Sequence, residues 1–113
     1  LSRLSTEFSQ NLGRLMEQIV AQELFRKMET NYDESIFYWK DNVGREVDFV
    51  VREKEVVKEL LQVCFVSEGQ EIPERETRSL KKAKNAFKIE ASKIITWDLE
   101  GENLIPLYKW LLQ

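Results

Sequence analysis

The sequence predicts an α/β sandwich, a central mixed sheet flanked by helices, on three observations. Apolar residues recur at helical spacing near the N-terminus, between residues 73 and 88, and again at the C-terminus. Between these segments lie five short runs rich in β-branched and aromatic residues. The resulting order, α-β-β-β-α-β-β-α, is that of a sheet covered by helices. At 113 residues, with 42% hydrophobic and 33% charged residues and only four glycines and two prolines, the chain fits one folded domain over residues 1–113.

The first helix has Ser5 or Thr6 as its cap and a stripe at Phe8, Leu12, Leu15 and Ile19, widened by Met16, Val20 and Leu24. It fades at Thr30-Asn31. The first strand is Ser35–Lys40, followed by a turn at Asp41–Gly44. In the second strand, Arg45–Val51, strict alternation sends Val47, Phe49 and Val51 to one face and Glu46, Asp48 and Val50 to the other. A polar turn over Arg52–Glu55 leads to Leu60–Val66, apolar enough for a central strand covered on both faces. Pro73 suits the first turn of a helix running to about Lys88, with Leu80, Ala83 and Phe87 buried. Lys93–Trp97 and Asn103–Ile105 are the last strands, and Pro106 opens a closing helix carrying Leu107, Trp110 and Leu111.

Composition excludes several chemistries. Without histidine, Ser-His-Asp and Cys-His catalysis lack their base. With Cys64 as the only cysteine, an internal disulfide and a cysteine-built zinc site are also excluded. Any metal site must be lined by oxygen, which suits Mg²⁺, Mn²⁺ or Ca²⁺. A net charge of −3 argues mildly against a free-standing DNA-binding module. No apolar run approaches the ~18 residues that span a bilayer, and no secretory signal is visible, so a cytoplasmic protein without membrane contact is expected. The chain starts at Leu1 and reads as a fragment of a longer protein.

Three residues interrupt the apolar pattern. Glu17 lies at the edge of the first helix's apolar arc, one turn after Gly13, which clears room beside it; Glu23 is its rival for a buried role. Asp48 sits in an otherwise strong β segment, on a face it shares with Val50. Gln62 is a lone amide within an apolar strand and must find partners or cost roughly 1–3 kcal/mol. With a turn centred near Glu55, antiparallel pairing sets Asp48 opposite Gln62, and Glu46 opposite Cys64. Each also has a plain structural reading: Glu17 as a boundary residue reaching water, Asp48 as a solvent-facing position, and Gln62 as a hydrogen-bonding core residue.

Gly13-x-x-x-Glu17 followed by Glu23-Leu24, then Arg45–Val51, resembles the PD-(D/E)XK nuclease superfamily. More narrowly, it is similar to the nuclease-like C-terminal domain of archaeal and bacterial AAA-type ATPases of unknown function. Leu61–Phe65, Glu74-Arg75-Glu76, Ile95–Asp98, Ile105–Leu107 and Trp110–Leu112 extend that similarity along nearly the whole chain, towards the archaeal branch. The resemblance implies a restriction-endonuclease-like fold and an ATPase domain in the same parent chain. No phosphate-binding loop of the Gly-rich Lys-Ser/Thr type lies in these residues. It also implies that Glu17 and Asp48 are acids able to hold Mg²⁺, and that Gln62 and Cys64 stand where an E-x-K motif has its acid and its Lys.

That departure predicts impaired catalysis, because an amide is a poor carboxylate and Cys64 cannot act as a cation. Lys58 is a candidate displaced lysine, and Glu76 a candidate third carboxylate for the metal. On the second helix Arg75, Arg78 and Lys82 form one basic row, a candidate phosphate contact or a plain solvated face, and Lys81, Lys84 and Lys88 form another. Three functions fit: a DNA-associated, catalytically impaired accessory domain of an ATPase; an active Mg²⁺-dependent nuclease; or a protein-interaction domain that binds no nucleic acid.

Overall fold

The computed structural model describes residues 3–113, with side chains from residue 7 onward. Its elements follow the expected order: α1 (Arg3–Met28), β1 (Glu34–Lys40), β2 (Glu46–Glu53), β3 (Val56–Val63), α2 (Glu74–Phe87), β4 (Ser92–Thr96), β5 (Leu104–Pro106) and α3 (Leu107–Leu111). The strands form one sheet in the order β1-β2-β3-β4-β5. Pairing is antiparallel from β1 to β3 and parallel from β3 to β5, so β3 is the junction between the two modes. Its last four residues, Leu60 to Val63, are all buried, as a central strand with both faces covered requires.

Two cores sit on opposite faces of this sheet. On one, Met16, Val20 and Leu24 of α1 and Leu107 and Trp110 of α3 meet Val51, Leu61, Val63 and Ile95. On the other, Leu80 and Ala83 of α2 meet Val47, Val50, Leu60 and Ile94. Phe87 closes the second core edge-on against Phe37 and Trp39, with ring centroids 6.3 and 6.2 Å apart.

Five expectations are corrected. The buried stripe of α1 is Met16-Val20-Leu24, while Phe8 and Leu15 stay 65% and 50% exposed. The helix carries apolar residues on more than one side; the stripe spaced by four docks on the sheet, with Ile19 packed beside it. The helix also begins at Arg3, ahead of Ser5 and Thr6, whose side chains lie outside the described residues. Val47 does not share a face with Phe49 and Val51, because β1 and β2 are out of step here. Phe37 faces Val50 and Trp39 faces Val47, so Asp48 and Phe49 together oppose the single residue Tyr38. This β-bulge moves Val47 to the α2 side with Val50. Strand β3 starts at Val56 and ends at Val63, because the turn before it occupies only Lys54-Glu55, with Lys54 in the left-handed region at φ 55°. Finally, Pro73 and Pro106 are caps just before their helices; fixed φ values of −56° and −60° with extended ψ make each the last residue of the incoming chain.

Candidate functional site

From the turn at Lys54-Glu55, β2 and β3 pair up to Phe49 and Leu61, with one register shift between Val51 and Arg52 that leaves Lys58 as the extra residue of β3. Beyond that point side chains replace the backbone ladder. The Asp48 N–H donates to Gln62 Oε1 at 2.8 Å, and Gln62 Nε2 donates to the Glu46 carbonyl at 3.0 Å. In return the Val63 N–H donates to Asp48 Oδ2 at 2.8 Å. The expected opposition of Asp48 and Gln62 is present, and each side chain serves the other strand's main chain. Gln62 is only 2% exposed, so these bonds are what makes a buried amide tolerable in this strand.

The expected pairing of Glu46 with Cys64 does not form. Glu46 pairs with Lys40 of β1, and the Cys64 N–H donates to the Ile95 carbonyl of β4 at 2.9 Å. The two strands have parted by then, each following its outer neighbour. The bulge at Asp48-Phe49 lies at the point of parting.

A cleft of about 680 Å³ opens at this fork. Glu17 reaches it from α1, and Asp48, Gln62 and Val63 from the strands. The turn before β2 adds Gly44 and Arg45, and the first turns of α2 add Arg75, Glu76, Arg78 and Ser79. Glu17, Asp48, Gln62, Glu76, Arg75 and Arg78, each singled out in the sequence, therefore line one cleft. Arg45 and Ser79 had been given no role. Ser79 was findable from spacing alone, since it follows Glu76 by three residues and Arg75 by four on one helix face.

Three acids of the cleft, Asp48, Glu17 and Glu76, are held above their ordinary range. Burial pushes Asp48 up against the Val63 N–H, which pulls it down, and the nearby Glu46 adds to the rise. Burial raises Glu17 too, followed by the charges of Asp48 and Glu76. Glu76 is raised by burial and by Asp48, with Arg75 opposing. Burial, then Glu76, pushes the Cys64 thiol up to about 11, so it is neutral at physiological pH and a poor nucleophile.

Two predicted residues lie elsewhere. Lys58 is in β3, and its Nζ bonds Glu53 at 3.0 Å and Glu34 at 3.3 Å, at the far end of the β2–β3 pair. Lys82 lies in a smaller adjoining hollow with Arg45 and Arg78. Glu23, the rival of Glu17, is paired with Arg26.

The donors do not fit a resident divalent cation. Among the described residues, no group of three or more His, Cys, Asp or Glu side chains is arranged to hold a metal ion. Gln62 Oε1 and Asp48 Oδ2 already accept main-chain N–H groups. No helix among the described residues is long and apolar enough to cross a membrane.

A family model described as "Domain of unknown function (DUF4143)" matches residues 12–108. The "Uncharacterized protein MJ1544" of the archaeon Methanocaldococcus jannaschii is 36% identical over 122 residues, covering 96% of this chain and 26% of that protein. The chain thus spans about a quarter of the length of the curated relative it matches. No solved structure matches it.

Proposed function

The chain belongs to the family described as "Domain of unknown function (DUF4143)", and on that premise we propose that it is a nuclease-fold accessory domain that holds nucleic acid without cutting it, beside an ATPase domain of the same parent protein. The PD-(D/E)XK resemblance is supported by the element order and by Asp48 on the second strand with Glu17 in the same cleft. The greater length of the archaeal relative leaves room for a partner domain.

One observation carries the inactive half of this reading. Where the superfamily places an acid with oxygens free for a metal, Gln62 spends both ends of its amide on the main chain of β2. Asp48 is likewise turned to structural use by the Val63 N–H. No step through Mg²⁺ follows from such a donor set. What the cleft retains is Arg75 and Arg78, paired with Glu76 and Glu74, with Lys82 beyond them, whose guanidinium and ammonium groups can turn to phosphates.

The test is to incubate the chain with single-stranded, duplex and branched DNA, with Mg²⁺ or Mn²⁺ and without either. Salt-sensitive binding without cleavage is expected. Metal-dependent cleavage that disappears in Asp48→Ala would replace this reading with that of an active nuclease. Absence of binding to every DNA at low salt would leave a protein-interaction domain.

A further inference from the structure

The cleft is bordered by a second, smaller hollow of different character. Its volume is about 220 Å³, and Arg45, Arg78, Lys81, Lys82 and Asn85 line it. No acid is among these residues, although the chain as a whole has 20 acids to 17 bases. We propose that this hollow is a seat for a phosphate group, built between the turn before β2 and the outer ridge of α2.

Three observations support a built site over a solvated helix face. The first is convergence from two elements. Arg78, Lys81, Lys82 and Asn85 follow at intervals of three, one and three residues, a single ridge of α2, whereas Arg45 comes from the hairpin and forms the facing wall. The second is that the hairpin is fixed. Asp41 Oδ1 accepts the N–H groups of Val43 at 3.0 Å and Arg45 at 2.8 Å, and the Asp41 N–H donates to the Arg45 carbonyl at 2.9 Å. The main chain of Arg45 is thereby held in place facing α2.

The third is an excess of positive charge. Among the described residues, Arg45, Lys81 and Lys82 form no ion pair, while Arg78 keeps one with Glu74 at 2.6 Å. The acid that feels Arg45 and Lys82 is Asp41, a single carboxylate facing four cations, whose Oδ1 accepts the N–H groups of the turn and whose Oδ2 is buried without a hydrogen-bond partner. Like charges at i,i+3 and i,i+4 on one helix disfavour it. A bound phosphate removes that repulsion and accepts charge-assisted hydrogen bonds from the guanidinium and ammonium groups around it, with Asn85 supplying a neutral donor.

The geometry of the hollow is independent of the nuclease resemblance; only the identification of its phosphate with a nucleic-acid backbone rests on the reading above. Phosphate of the same chemistry can also arrive on a free nucleotide, and the two sources separate experimentally. The probes are labelled single-stranded and duplex DNA, followed by anisotropy at about 50 mM and about 200 mM salt, and inorganic pyrophosphate, followed by calorimetry. The proteins are the wild-type chain, Arg45→Ala/Lys82→Ala, Lys81→Ala/Lys82→Ala, and a control, Lys93→Ala/Lys109→Ala, which removes the same charge elsewhere. The second variant changes only exposed helix positions, where alanine is well tolerated, so the fold is maintained even if Arg45 proves structural.

Both hollow variants are expected to bind DNA at least about tenfold more weakly than the control, with the log–log salt slope reduced by about 1. Pyrophosphate binding lost in both variants, with no DNA binding by any protein, upholds the seat and overturns the nucleic-acid reading. DNA binding of equal strength in hollow variants and control overturns the seat and leaves that reading standing. Failure of the wild-type chain to bind either probe overturns both.

Discussion

The two ends of the β2–β3 pair are made from the same strands by different means. At the turn, main-chain pairing runs on through a register shift between Val51 and Arg52, and ions accompany it: Lys58, the residue left over by that shift, joins Glu53 and Glu34. At the fork, the ladder is absent, and Gln62 and Asp48 stand in for it with three bonds from side chain to main chain. Polar side chains are therefore accessory at one end and structural at the other. The same residue types respond oppositely to pH at the two places. Lys58 holds Glu53 below the ordinary carboxylate range, whereas burial holds Asp48, Glu17 and Glu76 above it.

Substitution at Gln62 should do the most to break this contrast. Gln62→Leu keeps the volume but leaves the Asp48 N–H and the Glu46 carbonyl without their partner. It is expected to cost about 2–4 kcal/mol in urea unfolding, two unmet groups at roughly 1–3 kcal/mol each with some relief from water. A loss below about 1 kcal/mol would mean that the side-chain bonds do not hold the fork together.

Next in size is the pH effect. Carboxyls whose folded pKa is raised bind more protons folded than unfolded over the interval between the two values. Their contribution to stability is full below the unfolded pKa and is lost as pH rises through the folded one. The cleft acids should thus weaken the fold on going from acid to neutral pH. Glu53 works in the opposite sense: its contribution is present above its unfolded pKa and lost as pH falls through its folded value. Asp48→Asn, which retains an oxygen for the Val63 N–H, should gain about 1 kcal/mol at neutral pH and flatten the profile. Urea midpoints measured across the acidic range would decide it, and an unaltered slope in Asp48→Asn would remove Asp48 from the account.

A smaller gain is expected at Gly13. A Cβ there would meet only the Phe65 Cβ, at 4.0 Å, an ordinary contact, so the glycine is not required for space. Gly13→Ala should stabilise the chain by roughly 0.5–1 kcal/mol, measured by thermal or urea unfolding. A loss instead would show that the space beside Glu17 matters. Smallest of all is Lys58→Met at the turn end. Loss of these ion pairs, whose Lys58 end is 45% exposed, should move the thermal midpoint by no more than about 3 °C.

Much of the fold was legible in the sequence because it depends on pattern. Period-two and period-3.6 apolar spacing revealed all eight elements, and a turn near Glu55 was enough to set Asp48 against Gln62. The losses came where one residue decides. A single extra residue at Asp48-Phe49 reverses the facing of Val47, and no local preference announces a bulge. The two apolar stripes of α1 are indistinguishable until the sheet selects one. The cleft was legible in its acids, Glu17, Asp48 and Glu76, because carboxylates are conspicuous among apolar neighbours. Arg45 was not, since an arginine at a turn has an ordinary surface explanation, and its role comes only from the helix opposite.

The ends of the sheet also differ in what they allow. The last strand, β5, has three residues, finishes at Pro106, which has no N–H to offer, and runs directly into α3. The opposite edge, β1, is seven residues long, carries Phe37 and Trp39, and among the described residues pairs with no strand on its outer side. Within this chain, strand addition is blunted on one side and open on the other. A partially unfolded copy would recruit its neighbours through residues 34–40, and an inserted proline or charge there is the place to improve solubility.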